Sequence, residues 1–184
     1  LEEIRKEAVK ASEIVQRVRS YAKGEKSERV DIPLAEFSKQ VLSDYSKHSS
    51  STIKPKLKVF ADPLISANRL EIELVLINLV RNAQQSLKTL GVKKTFIEVS
   101  VGEEQGDAVL IVQDNGDISE DKIKNLSEPM SSAKKEGLGL GLAIVKAIVE
   151  NHAGSINFQK SELGGLKVMV RIPILKTENK NEEK

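Results

Sequence analysis

Gly137, Gly139 and Gly141 alternate with leucines and run straight into the apolar stretch Ala143 to Val149. This spacing constrains the fold because it puts bare backbone at the start of a helix. Amide N–H groups with no flanking side chains then meet the partial positive charge of a helix N-terminus, an arrangement that suits phosphate. The same glycines also serve turns and close packing, so the run by itself leaves both readings open.

The elements around the run must be packed almost without rings, since aromatics make up 3% of the 184 residues and Leu, Ile and Val have to fill the core. A chain of this length accommodates one domain and an additional element. Its 29 basic and 27 acidic residues nearly cancel, which argues against nucleic acid and an anionic membrane surface as partners. Without cysteine there is neither disulfide framework nor thiolate chemistry, and two histidines far apart make a histidine-based metal site unexpected. No apolar run reaches the ~18 residues that span a bilayer, and no signal-peptide pattern is present, so a soluble, cytoplasmic chain without membrane contact is expected. The sequence starts at Leu1 inside a helical pattern, so a piece of a longer parent is expected, with room for a membrane anchor in the remainder.

Leu1, Ile4, Ala8, Ala11, Val15, Val18 and Ala22 recur at spacings of three and four, the seam of a helix packing on another helix. Gly24 to Arg29 ends it as a hinge, closing a first segment of residues 1–29. In residues 30–175 the expected elements are a strand at Val30 to Ile32, an amphipathic helix at Leu34 to Tyr45 and a polar loop at Lys47 to Thr52. A strand at Leu57 to Phe60 follows, and Ala61-Asp62-Pro63 then leads into a long helix, Leu64 to Thr89. Strands are expected at Thr95 to Val101 and Ala108 to Gln113 with Gly102 to Asp107 between them, and a long loop from Asn115 to Glu136. The helix after the glycines precedes strands at Ser155 to Gln159 and Leu166 to Ile174, and residues 176–184 form a charged, disordered tail. Helices and strands mix without strict alternation, which favours an α+β fold.

Asn78 and Asn82 stand one turn apart on the long helix, whose buried stripe is Leu76, Leu79, Ala83 and Leu87. They read either as satisfied polar groups at the core edge or as amides whose oxygens face a ligand or a hard cation such as Mg²⁺. Asp114-Asn115-Gly116 closes a strand, either as an ordinary Asx turn or as a pocket carboxylate accepting a hydrogen bond from an exocyclic amine.

The order of these pieces carries more than any one of them. Asn78-Leu-Val-Arg-Asn82-Ala83, then Asp114-Asn-Gly116, then Gly137 to Leu142, then Gly164-Gly165 before a last strand resembles the catalytic ATP-binding domain of sensor histidine kinases, over roughly Val30 to Leu175. Leu1 to Lys23 is similar to the second helix of that family's dimerisation and phosphotransfer hairpin. The resemblance implies the Bergerat architecture, a two-layer α/β sandwich in which three helices cover one face of a mixed sheet. It implies ATP and Mg²⁺ as ligands, with Asn82 on the metal, Asn78 beside it and Ser86 within the nucleotide site. Asp114 matches the carboxylate that recognises the adenine amino group, and Gly116 lets the base approach. Gly137, Leu138, Gly139, Leu140, Gly141 and Leu142 match the phosphate-binding end of the ATP lid. A homodimer through the N-terminal helix and a cognate response regulator are the implied partners, and the implied enzyme is a phosphotransferase.

The chain also departs from the family pattern. Asp117 and Ile118 follow Gly116 where a second glycine is usual, and Ser127-Glu128-Pro129-Met130 lacks the lid's aromatic anchors. Gln85 stands where some relatives have a phosphate-contacting lysine, and Lys134 is the candidate replacement. Related ATPases carry a general-base glutamate at the place of Asn78, and an amide cannot take that role, so transfer to a protein acceptor is favoured over hydrolysis. Neither His48 nor His152 sits where the family has its phospho-acceptor, so both read as surface or cap residues and the acceptor is expected outside the chain. The alternative reading is a degenerate, non-catalytic nucleotide-binding or response-regulator docking module.

Overall fold

A computed structural model describes residues 28–90, 94–127 and 139–175. The expected N-terminal helix Leu1 to Lys23, most of the hinge, the tail, Lys134, Gly137 and Leu138 lie outside the described residues. The elements are β1 (Val30–Pro33), α1 (Leu34–His48), β2 (Pro55–Val59), β3 (Leu64–Ala67), α2 (Arg69–Leu90), β4 (Ile97–Glu104), β5 (Asp107–Asp114), α3 (Glu120–Ser127), α4 (Gly139–Asn151), β6 (Ser155–Lys160) and β7 (Leu166–Pro173).

Five strands form one sheet in the order β2-β4-β5-β7-β6, with β2 parallel to β4 and the other neighbours antiparallel. Alternation sets the face that meets the helices: Ile97, Val99 and Val101 of β4 point toward them opposite Asp114, Val112 and Leu110 of β5, all of them buried. On that face α1 lies over β2 and β4, α2 over β4 and β5, and α4 over β7 and β6. The expected α+β sandwich, with three helices on one face of a mixed sheet, is the architecture found. Core side chains are mostly Leu, Ile and Val, and Phe37 and Phe158 are the buried aromatics among the described residues.

Several local expectations are corrected. Leu64 to Ala67 is strand rather than helix, because it pairs antiparallel with β1, with Ile65 against Ile32. The helix begins at Arg69, where the Asn68 side-chain oxygen accepts the Glu71 N–H at 3.1 Å as an N-cap. Asp62 does not lead into that helix either: its Oδ1 accepts the Ala35 N–H at 2.6 Å and so caps α1, 27 residues earlier.

The span from Asn115 to Glu136 is not all loop, since Glu120–Ser127 is helical. Ser119 caps it with Oγ 3.4 Å from the Lys122 N–H, and Glu120 and Asp121 suit its positive end. Eight residues give too few turns for a periodicity to register. The β4–β5 connection is also tighter than Gly102 to Asp107, because Gln105 and Gly106, at φ 55° and 85°, close a two-residue hairpin turn.

Candidate functional site

The inner face of the sheet ends in a cleft enclosing about 590 Å³ of empty space, part of it continuous with solvent. α2 contributes Leu79, Asn82, Ala83 and Ser86 to its wall, β5 contributes Val112 and Asp114, and β7 contributes Leu166 and Val168. Asp117, Ile118, Lys122 and Leu126 form the side made by α3 and the turn before it, and Leu142 of α4 completes the lining.

Asp114 is the last inward residue of β5, so the strand period that buries Val112 also carries its carboxylate to the cleft floor, where only 3% of the residue is exposed. Burial pushes its pKa above the ordinary aspartate value, opposed by backbone hydrogen bonds from Gly116 and Leu166. The Gly116 N–H donates to Oδ1 at 2.8 Å, and the Gly165 N–H donates to the Asp114 carbonyl at 3.2 Å. Gly165 is glycine for want of space: a Cβ there would stand 2.0 Å from Asp114 Oδ1 and 2.6 Å from the Gly116 nitrogen. The Asp114-Asn115-Gly116 turn and Gly164-Gly165, 50 residues apart, therefore form one cradle for a single carboxylate. Asn115 steadies it from outside, its Oδ1 accepting the Phe96 N–H at 2.7 Å.

Across the cleft, Asn82 has a buried Nδ2 with no hydrogen-bond partner. An orphaned amide is costly in a fold and is satisfied by a polar ligand. A Cβ on Gly141 would lie 3.9 Å from Asn82 Oδ1 and 3.2 Å from Asn78 Oδ1, so this glycine lets α4 close on the asparagine face of α2. Asn78 lies behind the cleft rather than in its lining, 6% exposed, with Nδ2 donating to the Leu74 carbonyl at 2.7 Å. Of the expected residues, Asn82, Ser86, Asp114 and Leu142 line the cleft, Gly116 and Gly141 frame it, and Gly139 and Leu140 open α4.

Sequence reading missed Lys122, the one cation in the lining among the described residues. The available signal was Ser119 followed by two acidic residues, a helix start that brings Lys122 and Leu126, one turn apart, to the same wall. His152, expected at the surface or as a cap, is 4% exposed. Its Nδ1 lies 2.8 Å from the Ile148 carbonyl and must donate, while its Nε2 accepts the Asn68 N–H at 3.3 Å, joining the end of α4 to the start of α2. His48 is exposed beside the Asp44 carbonyl.

An acceptor-only carboxylate below apolar walls suits a flat heteroaromatic ring bearing an amino group. No group of three or more His, Cys, Asp or Glu able to hold a metal occurs among the described residues. A Mg²⁺ here would have to share its ligands with an anionic substrate, and one carboxamide oxygen beside an unpartnered amide fits that demand.

The family model described as histidine kinase-, DNA gyrase B-, and HSP90-like ATPase matches residues 67–176. Sensor protein TdiS of Thauera aromatica is 28% identical over 171 residues, which are 89% of this chain and 31% of TdiS. Sensor histidine kinase TmoS of Ectopseudomonas mendocina is 31% identical over 183 residues, 95% of this chain and 18% of TmoS. The chain thus spans less than a third of either relative. The nucleotide-free catalytic domain of histidine kinase ThkA is similar at a TM-score of 0.65 and 26% identity, over 80% of this chain and 96% of that one.

Proposed function

This chain belongs to the histidine kinase-, DNA gyrase B- and HSP90-like ATPase family, and we propose that it is the ATP-binding catalytic part of a two-component sensor histidine kinase. The observation that carries this reading is the buried Asp114 carboxylate, held by Gly116 and Gly165 at the floor of an apolar cleft with Asn82 opposite. Asp114 accepts the adenine amino group, and a charged acceptor there contributes about 1.5–3 kcal/mol and rejects bases lacking the donor. Asn82 and Ser86 face the sugar and phosphates, with Gly137 to Leu142 closing on the phosphates and Lys134 adding charge.

The Asn82 carboxamide would hold Mg²⁺, which neutralises charge on the transferring group when bound. The acceptor is a histidine outside this chain: the bond from the γ-phosphorus of ATP to the oxygen bridging to the β-phosphate breaks, a P–N bond to the imidazole forms, ADP leaves and the imidazole proton passes to solvent. Asn78 offers no base to activate water, in keeping with transfer rather than hydrolysis.

Residues 1–29 would be a partial dimerisation helix and hinge, residues 30–175 the catalytic domain and residues 176–184 a tail. The hinge's entry point supports that boundary. Arg29 Nη2 donates to the Asn151 carbonyl at 2.5 Å and Asn68 Nδ2 to the Glu28 carbonyl at 3.4 Å, so the incoming chain is tied where α4 ends and α2 begins. A homodimer through the N-terminal helix and a response regulator are the proposed partners in a cytoplasmic part of the parent. No helix among the described residues is long and apolar enough to cross a membrane.

The test mixes this chain with a separate chain bearing an acceptor hairpin and with labelled ATP. Labelling of the hairpin, suppressed by Asp114→Asn, is expected. Tight Mg·ATP binding without labelling would leave a nucleotide-sensing module, and calorimetry showing no nucleotide binding would leave a docking role alone.

A further inference from the structure

We propose that Lys146 is a positioning residue that clasps the short helical wall of the cleft, α3, to α4 and so sets nucleotide affinity; this rests on the nucleotide reading of the cleft. α3 supplies Lys122 and Leu126 to the lining but is only eight residues long, too short to hold its shape or place unaided. Its position depends on what grips it. Lys146 Nζ donates to the Leu126 carbonyl at 2.7 Å, placing a cation on one of the last carbonyls of α3, where the helix has no partner of its own and carries partial negative charge.

The same ammonium lies 5.4 Å from the centroid of the Phe158 ring, and Phe158 is buried on β6, the strand against which α3 packs. The lysine is thus held by the sheet while it holds the helix. Leu142 stands one turn before Lys146 on α4 and lines the cleft itself. α4 therefore borders the cleft directly through Leu142 and grips the facing wall through Lys146, fixing the spacing between them. Where the grip is lost, the fraction of molecules with α3 in place falls, and apparent affinity falls by that fraction.

The clasp is tested with Lys146→Met, which keeps the aliphatic stem over Phe158 and removes the donor, and with Lys146→Arg, which can still donate and stack. The probe is Mg·ADP, read by calorimetry, with hydrogen exchange of the nucleotide-free protein as a second readout. Lys146→Met is expected to bind Mg·ADP about 3- to 10-fold more weakly, the scale of one charge-assisted hydrogen bond partly open to water. Exchange should quicken at the α3 amides with β5 and β7 unchanged, and Lys146→Arg should recover both. Unchanged α3 exchange in Lys146→Met, a loss of protection spread over the whole sheet, or failure of arginine to rescue would each overturn the clasp. Wild-type protein that binds no Mg·ADP would instead defeat the nucleotide reading, and the exchange measurement would still decide whether Lys146 holds α3.

Discussion

Replacing Gly165 with alanine tests the cradle around Asp114 most directly. The added Cβ would meet Asp114 Oδ1 at 2.0 Å, the Gly116 nitrogen at 2.6 Å and the Asp114 carbonyl oxygen at 2.7 Å. Rotating the Asp114 side chain relieves only the first contact, because the other two atoms are backbone. The turn carrying Gly165, just before β7, must therefore move away. That movement breaks the 3.2 Å bond from the Gly165 N–H to the Asp114 carbonyl and disturbs the 2.8 Å bond from the Gly116 N–H to Oδ1.

Overpacking of this kind costs about 1–3 kcal/mol, and the two hydrogen bonds add about 1 kcal/mol each. The sum, about 3–5 kcal/mol, corresponds to a melting temperature lower by roughly 6–20 °C for a domain of this size. Circular dichroism melts read the stability, and calorimetry with Mg·ATP reads the cleft, whose affinity should fall with the displaced carboxylate. Gly106→Ala is the control: its φ of +85° is strained for alanine, yet nothing lies within 4 Å. Strain alone there costs about 1–2 kcal/mol and should leave nucleotide binding untouched. If Gly165→Ala melts no lower than Gly106→Ala and binds Mg·ATP as the wild type does, the close approach is not what holds Asp114.

Three further outcomes are expected. Burial raises the Asp114 pKa, so the folded state binds the extra proton between the ordinary aspartate value and the raised one, and this group's contribution to stability falls as pH rises through that window. Adenine needs the ionised carboxylate, so ATP affinity should weaken on acidification at a pH above the ordinary aspartate range. Asp114→Asn should lose that break and bind roughly 10- to 100-fold more weakly at neutral pH, as calorimetry across pH will show. Asn82→Ala removes a buried amide nitrogen with no partner, so denaturant melts should move by no more than about 1 kcal/mol, whereas the dependence of ATP affinity on Mg²⁺ should vanish. Gln84→Ala should cost about 2–3 kcal/mol in the same melts, because Gln84 accepts the Tyr45 hydroxyl and donates to the buried Ile53 carbonyl, each at 2.8 Å, and both partners would lose their bond.

What the sequence determined by itself is whatever repeats over a few residues. The turn-bounded, β-branched run Thr95 to Val101, the stripe of Leu76, Leu79, Ala83 and Leu87, and the order of Asn82, Asp114 and the glycine run are local or linear patterns, and they led to the sheet, the central helix and the cleft's main residues. Only the tertiary structure decided what depends on partners distant in the chain. Leu64 to Ala67 becomes strand because β1 offers a ladder, and Asp62 caps a helix that precedes it in sequence. Gly165 is required by a carboxylate 51 positions away, and His152 is buried because its ring joins the end of α4 to the start of α2. Periodicity records which face of an element is apolar; it carries no record of which other element will occupy that face, and the cradle, the asparagine seam and the wall formed by α3 all arise where two such elements meet.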